Sequence, residues 1–172
     1  MRRLCLPLSS ALCTHMKYHG YKTKEEIIAL TEEAFPYTEK PEDDELMYFG
    51  NEDIVSKFVK EHMASYKEAK LPVEAVRYLH SELVNLSAKG MGWLFPSLLR
   101  CAIHTKVPHD TLHEFIVYDL EYSEERKTSI LSRYSFMSQR QLECMACILE
   151  YFSETHGHSI SLALQSLEVL SA

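Results

Sequence analysis

The residues of this chain best suited to chemistry are histidines and cysteines at short spacings. His109 and His113 stand four apart, with Asp110 and Glu114 beside them and His104 close by. On a helix, an i, i+4 pair of imidazoles can share a metal ion. The intervening residues are Asp110-Thr111-Leu112, so the pair lacks the glutamate that a zinc hydrolase places there as base. His109 also falls at the start of its helix, where the two rings need not converge, and a polar helix start is the expected role. Cys144-Met145-Ala146-Cys147 has the spacing of a redox or metal pair. Such a pair works at an electropositive strand-to-helix junction or with a second pair of ligands. Here both thiols flank the apolar stripe of a helix, which predicts buried, reduced side chains. His156-Gly157-His158 reads as a turn and completes no zinc spacing with the distant cysteines. The sequence holds no glycine-rich phosphate loop, GxSxG elbow or dinucleotide fingerprint. Carboxylates are many, but none is expected to be paired in an apolar setting that would raise its pKa for acid–base work. These residues predict no enzyme, no resident metal and no cofactor.

Charge gives a stronger signal. The formal net charge is -7, and it is unevenly spread. Residues 1–24 hold five bases and no acid, whereas residues 25–54 hold eleven acids against Lys40 alone. A concentrated acidic block repels nucleic acid and steers cationic proteins towards itself. Glu32, Glu33, Glu42, Asp43, Asp44 and Glu45 are therefore the candidate contacts to a basic protein partner. A solvated helix face followed by an acidic loop is the plainer account of the same residues. The five cysteines are odd in number and widely scattered, in a chain long enough to fill a core. That argues against a disulfide framework and for a reducing, cytoplasmic setting. No run approaches the roughly 20 apolar residues of a membrane span. Residues 1–15 open like a signal peptide with Arg2-Arg3 and a short apolar run. Pro7, Ser9 and Ser10 interrupt that run, no small-x-small site follows it, and a natural start at Met16 fits as well. The expected organisation is an N-terminal extension over 1–16, disordered or an upstream start, and a single helical domain over 17–172.

Helical periodicity must position these groups. Thr23 and Glu26 have capping-box spacing ahead of a helix with Ile27, Leu30 and Ala34 on one face, stopped by Pro36. An acidic loop follows at Pro41 to Asp44. A second helix, from about Glu52 to Ala69, carries the stripe Val55, Phe58, Val59, His62, Met63 and Tyr66. Pro72 suits the first turn of a third, with Val76, Leu79, His80, Leu83 and Leu86 on one face. Gly90 and Gly92 bracket Met91 and predict a tight turn between helices. Pro96 then belongs in the first turn of the next helix, since deeper inside it would cost about 3 kcal/mol. Trp93 and Phe95 are expected to pack as core at this junction rather than project as a binding wedge. Asp110 can cap a fifth helix, whereas Tyr122 to Phe136 shows no clear period. Ser138 and Gln141 form a second capping box, Gly157 ends that helix, and Ile160 to Leu170 make the last. The pattern predicts an all-α compact bundle of six to eight short-to-medium helices.

The order of these features resembles a small all-helical bacterial family of unassigned biochemical function. The shared order is a helix, a glycine turn and Trp93-Leu94-Phe95-Pro96 with Leu98-Leu99. A polar gap and Ser138-x-x-Gln141 then lead a helix containing Ile148 to Phe152. The resemblance covers about Ile27 to Leu170 and is most specific in the pairing of Phe95-Pro96 with Gln141. It implies a stand-alone small cytosolic protein with no catalytic residues to carry over, from a family with some members in genomes rich in secreted toxins. The chain departs from the pattern in its N-terminal extension and in a last helix without a closing aromatic. With the acidic block, the resemblance implies a protein-binding module, an immunity-type inhibitor of a cognate bacterial toxin domain, with no nucleic-acid or membrane partner. Two other readings remain: a metal-dependent module or enzyme using His104, His109 and His113, and a scaffold or regulatory subunit of a larger complex.

Overall fold

The computed structural model describes residues 18–49, 53–105 and 110–172, so the extension expected over 1–16 lies outside the described residues. Along them run α1 (Lys24–Ala34), α2 (Ile54–Met63), α3 (Val73–Leu79), a 3-10 helix (His80–Asn85) and α4 (Ala88–His104). They are followed by α5 (Leu112–Asp119), α6 (Lys127–Arg133), α7 (Gln139–His156) and α8 (Ser161–Ser171). The fold is all-α, with eight α-helices among the described residues. Both capping boxes form. Thr23 and Glu26 exchange side-chain and backbone bonds ahead of α1, as do Ser138 and Gln141 ahead of α7. Gly157 ends α7 at φ 75°, a left-handed conformation that needs no Cβ to be accommodated.

The long helices α4 and α7 carry most of the core. α1 packs on both, α3 and α5 flank α4, and α8 covers α7. One apolar cluster runs through them, from Ile27 and Phe35 past Leu94 and Leu98 to Ile148, Phe152 and Leu167. Phe95 lies fully buried in it, with ring centroids 5.8 Å from Phe35 and Tyr134 and 5.9 Å from Phe136. Trp93 is fully buried too, and its indole N–H donates to the Glu68 carbonyl at 3.2 Å. Both aromatics are core, as expected.

Several expectations change. Gly90 and Gly92 form no turn; they lie inside α4, and Pro96 sits in that helix's interior rather than its first turn. The direction change is made earlier, by the 3-10 helix, which leads into a bridge between Leu86 and Met47. Gly90 answers a different need. A Cβ there would lie 2.2 Å from the Leu46 carbonyl oxygen, so a side chain would displace the segment crossing the start of α4. Pro96 has no N–H to offer the Gly92 carbonyl, and the Thr38 hydroxyl donates to that oxygen instead, at 3.1 Å. α2 is shorter than its apolar stripe suggests. It buries Ser56, Val59 and Met63 and leaves Val55 and Phe58 exposed. α6 occupies the stretch without visible period, and buries Ile130 and Arg133.

Candidate functional site

The stretch from Thr38 to Phe49 is fastened to two helices. At α4, Thr38 reaches Gly92, the Ser87 N–H donates to the Leu46 carbonyl at 3.1 Å, and the Ser87 hydroxyl donates to the Glu45 carbonyl. Just ahead, the Tyr48 N–H donates to the Asn85 carbonyl at 2.8 Å. At α2, the Lys40 ammonium donates to the Met63 carbonyl at 3.1 Å, where a helix end favours a cation. Near the other end of α2, the Ser56 hydroxyl donates to the Phe49 carbonyl at 3.2 Å. These bonds lay the acidic turn alongside α2.

α2 turns an apolar edge outward here. Ile54 is 71% exposed and Phe58 63% exposed, one helical turn apart. Tyr48 and Phe49 are exposed as well, and their rings meet edge to face at 5.2 Å. Single exposed apolar residues are normal on a protein surface, and here four large ones lie on two segments joined by hydrogen bonds. Glu42, Asp43 and Asp44 stand exposed beside it. Asp43 pairs with Lys40 at 3.2 Å, and Glu45 pairs with Lys89. Glu32 and Glu33 lie apart from this turn, on α1. Glu33 pairs with Arg140 in the first turn of α7, while Glu32 lines a recess with Tyr37 and Arg100. The six candidate acids thus divide into two sets, and the set on the turn lies in the segment bonded to α2.

The histidines regroup. His113 is buried in α5, with its Nδ1 2.6 Å from His158 Nε2 and its ring stacked on His156 at 4.0 Å between centroids. His104 is exposed at the end of α4 and lines a different recess, and His109 lies outside the described residues. The set His104, His109 and His113 is therefore not assembled by the described residues. The actual trio escaped the sequence because tertiary packing alone joins α5 to the turn after α7. The available signal was a pair of histidines bracketing a helix-ending glycine. Burial, reinforced by the nearby His156 and His158, pushes His113 down to about 4, leaving it neutral at pH 7. Among the described residues no group of three or more His, Cys, Asp or Glu side chains has the geometry to hold a metal ion.

Cys144 and Cys147 are buried in α7, and burial pushes the Cys144 thiol up to about 12, away from the thiolate that nucleophilic or redox work requires. Two carboxylates are buried and paired with arginines. Asp119 accepts from Arg133 Nη1 at 2.7 and 3.0 Å and from the Tyr134 hydroxyl, all buried. Asp110 accepts from Arg77 at 2.5 and 3.3 Å, from Thr105 and from the Leu112 N–H. Burial by itself would raise the Asp110 pKa. The Arg77, Thr105 and Leu112 donors outweigh it and hold the carboxyl at about 2, opposite to the shift a general acid needs.

Comparison of the chain with protein-family models, curated proteins and solved structures finds no match. Within the chain, Pro96 and Gln141 line one recess with Gly92 and Phe136. No helix of the described residues is long and apolar enough to cross a membrane.

Proposed function

We propose that this chain is a non-catalytic protein-binding module that captures a basic protein partner at the acid-rimmed apolar patch of α2 and the Glu42–Phe49 segment. The observation that carries this reading is the exposure of Tyr48, Phe49, Ile54 and Phe58 beside Glu42 and Asp44. Protein interfaces concentrate their energy in a few large side chains, while a charged rim speeds encounter and rejects like-charged partners. In the form that the resemblance implies, the partner is a cognate toxin domain and this chain its immunity-type inhibitor in the cytoplasm. The free thiols of Cys101, Cys144 and Cys147 suit a reducing compartment. A scaffold or regulatory subunit would use the same patch with a different partner. The metal-dependent reading has weaker support, since His104 and His113 line separate recesses.

The test is calorimetric titration of the purified protein with the purified products of its adjacent reading frames. The wild type binds a basic product, with an association rate that falls as salt rises. The Ile54→Asp/Phe58→Asp double variant, altered at exposed positions, folds normally and loses about 2 kcal/mol or more of binding energy. Wild-type affinity in both this variant and Glu42→Lys/Asp44→Lys would reject the patch as the interface. Stoichiometric inhibition of the captured product marks the inhibitor form, and capture without inhibition marks the scaffold.

A further inference from the structure

A second site is built where α1, α3 and α4 meet, away from the residues of the α2 patch. A cavity of about 720 Å³ opens there, of the size that takes a small organic molecule. Leu71, Pro72 and Val73 give it apolar walls, and Lys70, Arg77 and Arg100 bring three cations to it, against Glu32 as the acid among its lining residues. In a chain of net charge -7 this is a local reversal of sign.

The two guanidinium groups are already in place. Arg77 is gripped by the buried Asp110 carboxylate at 2.5 and 3.3 Å, and Asp110 is itself fixed by Thr105 and the Leu112 N–H. Arg100 lies over the Tyr37 ring at 4.4 Å and donates through Nη1 to the Pro96 carbonyl at 2.7 Å. A guanidinium has five N–H donors in a planar fork, so each keeps donors for a further acceptor. Lys70, on the rim, forms no ion pair with a carboxylate among the described residues. Asp110 and Glu32 together offset two of the three cations. The balance left to the cavity is one positive charge, carried by donors suited to a planar oxyanion, next to apolar wall.

We infer that this cavity binds a small organic anion, with its carboxylate or phosphate between Lys70 and Arg100 and its apolar body against Leu71, Pro72 and Val73. The ligand class follows from the juxtaposition of positioned guanidinium groups with a hydrophobic wall. Inorganic anions satisfy the cations and leave the wall wet, whereas neutral apolar molecules leave the cations unpaired.

Three probes separate these contributions: 2-naphthoate, neutral 2-naphthalenemethanol and inorganic phosphate, each titrated into the full chain by calorimetry and followed by amide chemical shifts. We expect 2-naphthoate to bind about tenfold or more tightly than either of the others, the worth of a hydrogen bond to a charged group. Its shifts should cluster on Lys70 to Val73 and Ser97 to His104. Lys70→Gln changes an exposed side chain and should leave the fold intact, yet it should weaken naphthoate several-fold and leave the alcohol unaffected. Arg100→Gln should weaken naphthoate by about tenfold. Equal affinity for naphthoate and the alcohol, naphthoate binding that ignores both variants, or shifts centred on Ile54 to Phe58 would each overturn the assignment. None of these outcomes depends on whether the α2 patch captures a protein.

Discussion

Asp119 accepts hydrogen bonds from Arg133 and Tyr134 inside the bundle, so the three side chains depend on one another for their burial. Arg133 Nη1 also reaches the Leu83 carbonyl at 3.3 Å, which carries the link across to the 3-10 helix. Removing one partner of such a pair leaves an uncompensated charge out of water. Asp119→Ala should therefore cost about 3–5 kcal/mol in urea denaturation. A loss below about 1 kcal/mol would mean that water reaches the stranded guanidinium. His113 makes a second prediction, about pH. Its folded-state pKa of about 4 lies below the 6.5 of an ordinary imidazole. Between those values the unfolded chain binds the additional proton, so its contribution to stability is whole above pH 6.5 and is lost as pH falls towards 4. His156 and His158 face the ring and reinforce the shift, while Asp110 and Glu114 oppose it. Denaturation midpoints should fall over that interval and flatten in His113→Gln. A His113 ring resonance titrating near 6.5 in the folded protein would refute the assignment.

The two glycines of α4 divide cleanly at the level of elements. Gly90→Ala would push a methyl group to 2.2 Å from the Leu46 carbonyl, so the segment feeding the acidic turn must move. We expect it to cost about 1–3 kcal/mol, the range of overpacked sites. At Gly92 the nearest atoms to a new Cβ belong to the Phe136 side chain, at 3.6 Å, which is ordinary contact. Gly92→Ala should therefore be neutral or stabilise by up to about 1 kcal/mol through helix propensity. Thermal unfolding of the two variants side by side checks both signs, and equal effects would argue that Leu46 yields freely. The same pair explains what was legible. Capping boxes at Thr23 and Ser138 could be read because every atom involved lies within four residues. A glycine signals either backbone freedom or close approach, and what distinguished them here was Leu46, far away in sequence. The apolar stripe of α2 is only partly buried, because periodicity reports an apolar face and not how much of that face finds a neighbour.

For the molecule as a whole, periodicity was enough to give the all-α class, and charge was enough to locate the acidic turn. Neither could reveal that Ile54 and Phe58 share its surface, since their exposure is decided by how far α2 docks. Nor could they reveal the cation-lined cavity, whose Lys70, Arg77 and Arg100 meet only when α3 folds against α4. Pro96 ties these scales together. A proline inside a helix is usually counted as a defect, and here the carbonyl it leaves open on Gly92 becomes the anchor for Thr38. The acidic turn consequently begins from a fixed address on α4 and is held again at Glu45, Leu46 and Tyr48. Ordering a free loop costs about 1–2 kcal/mol per residue, and here that cost is met during folding. Under the proposed function, a partner docking on this surface would meet a turn ordered in advance, and less of its affinity would go into freezing a loop.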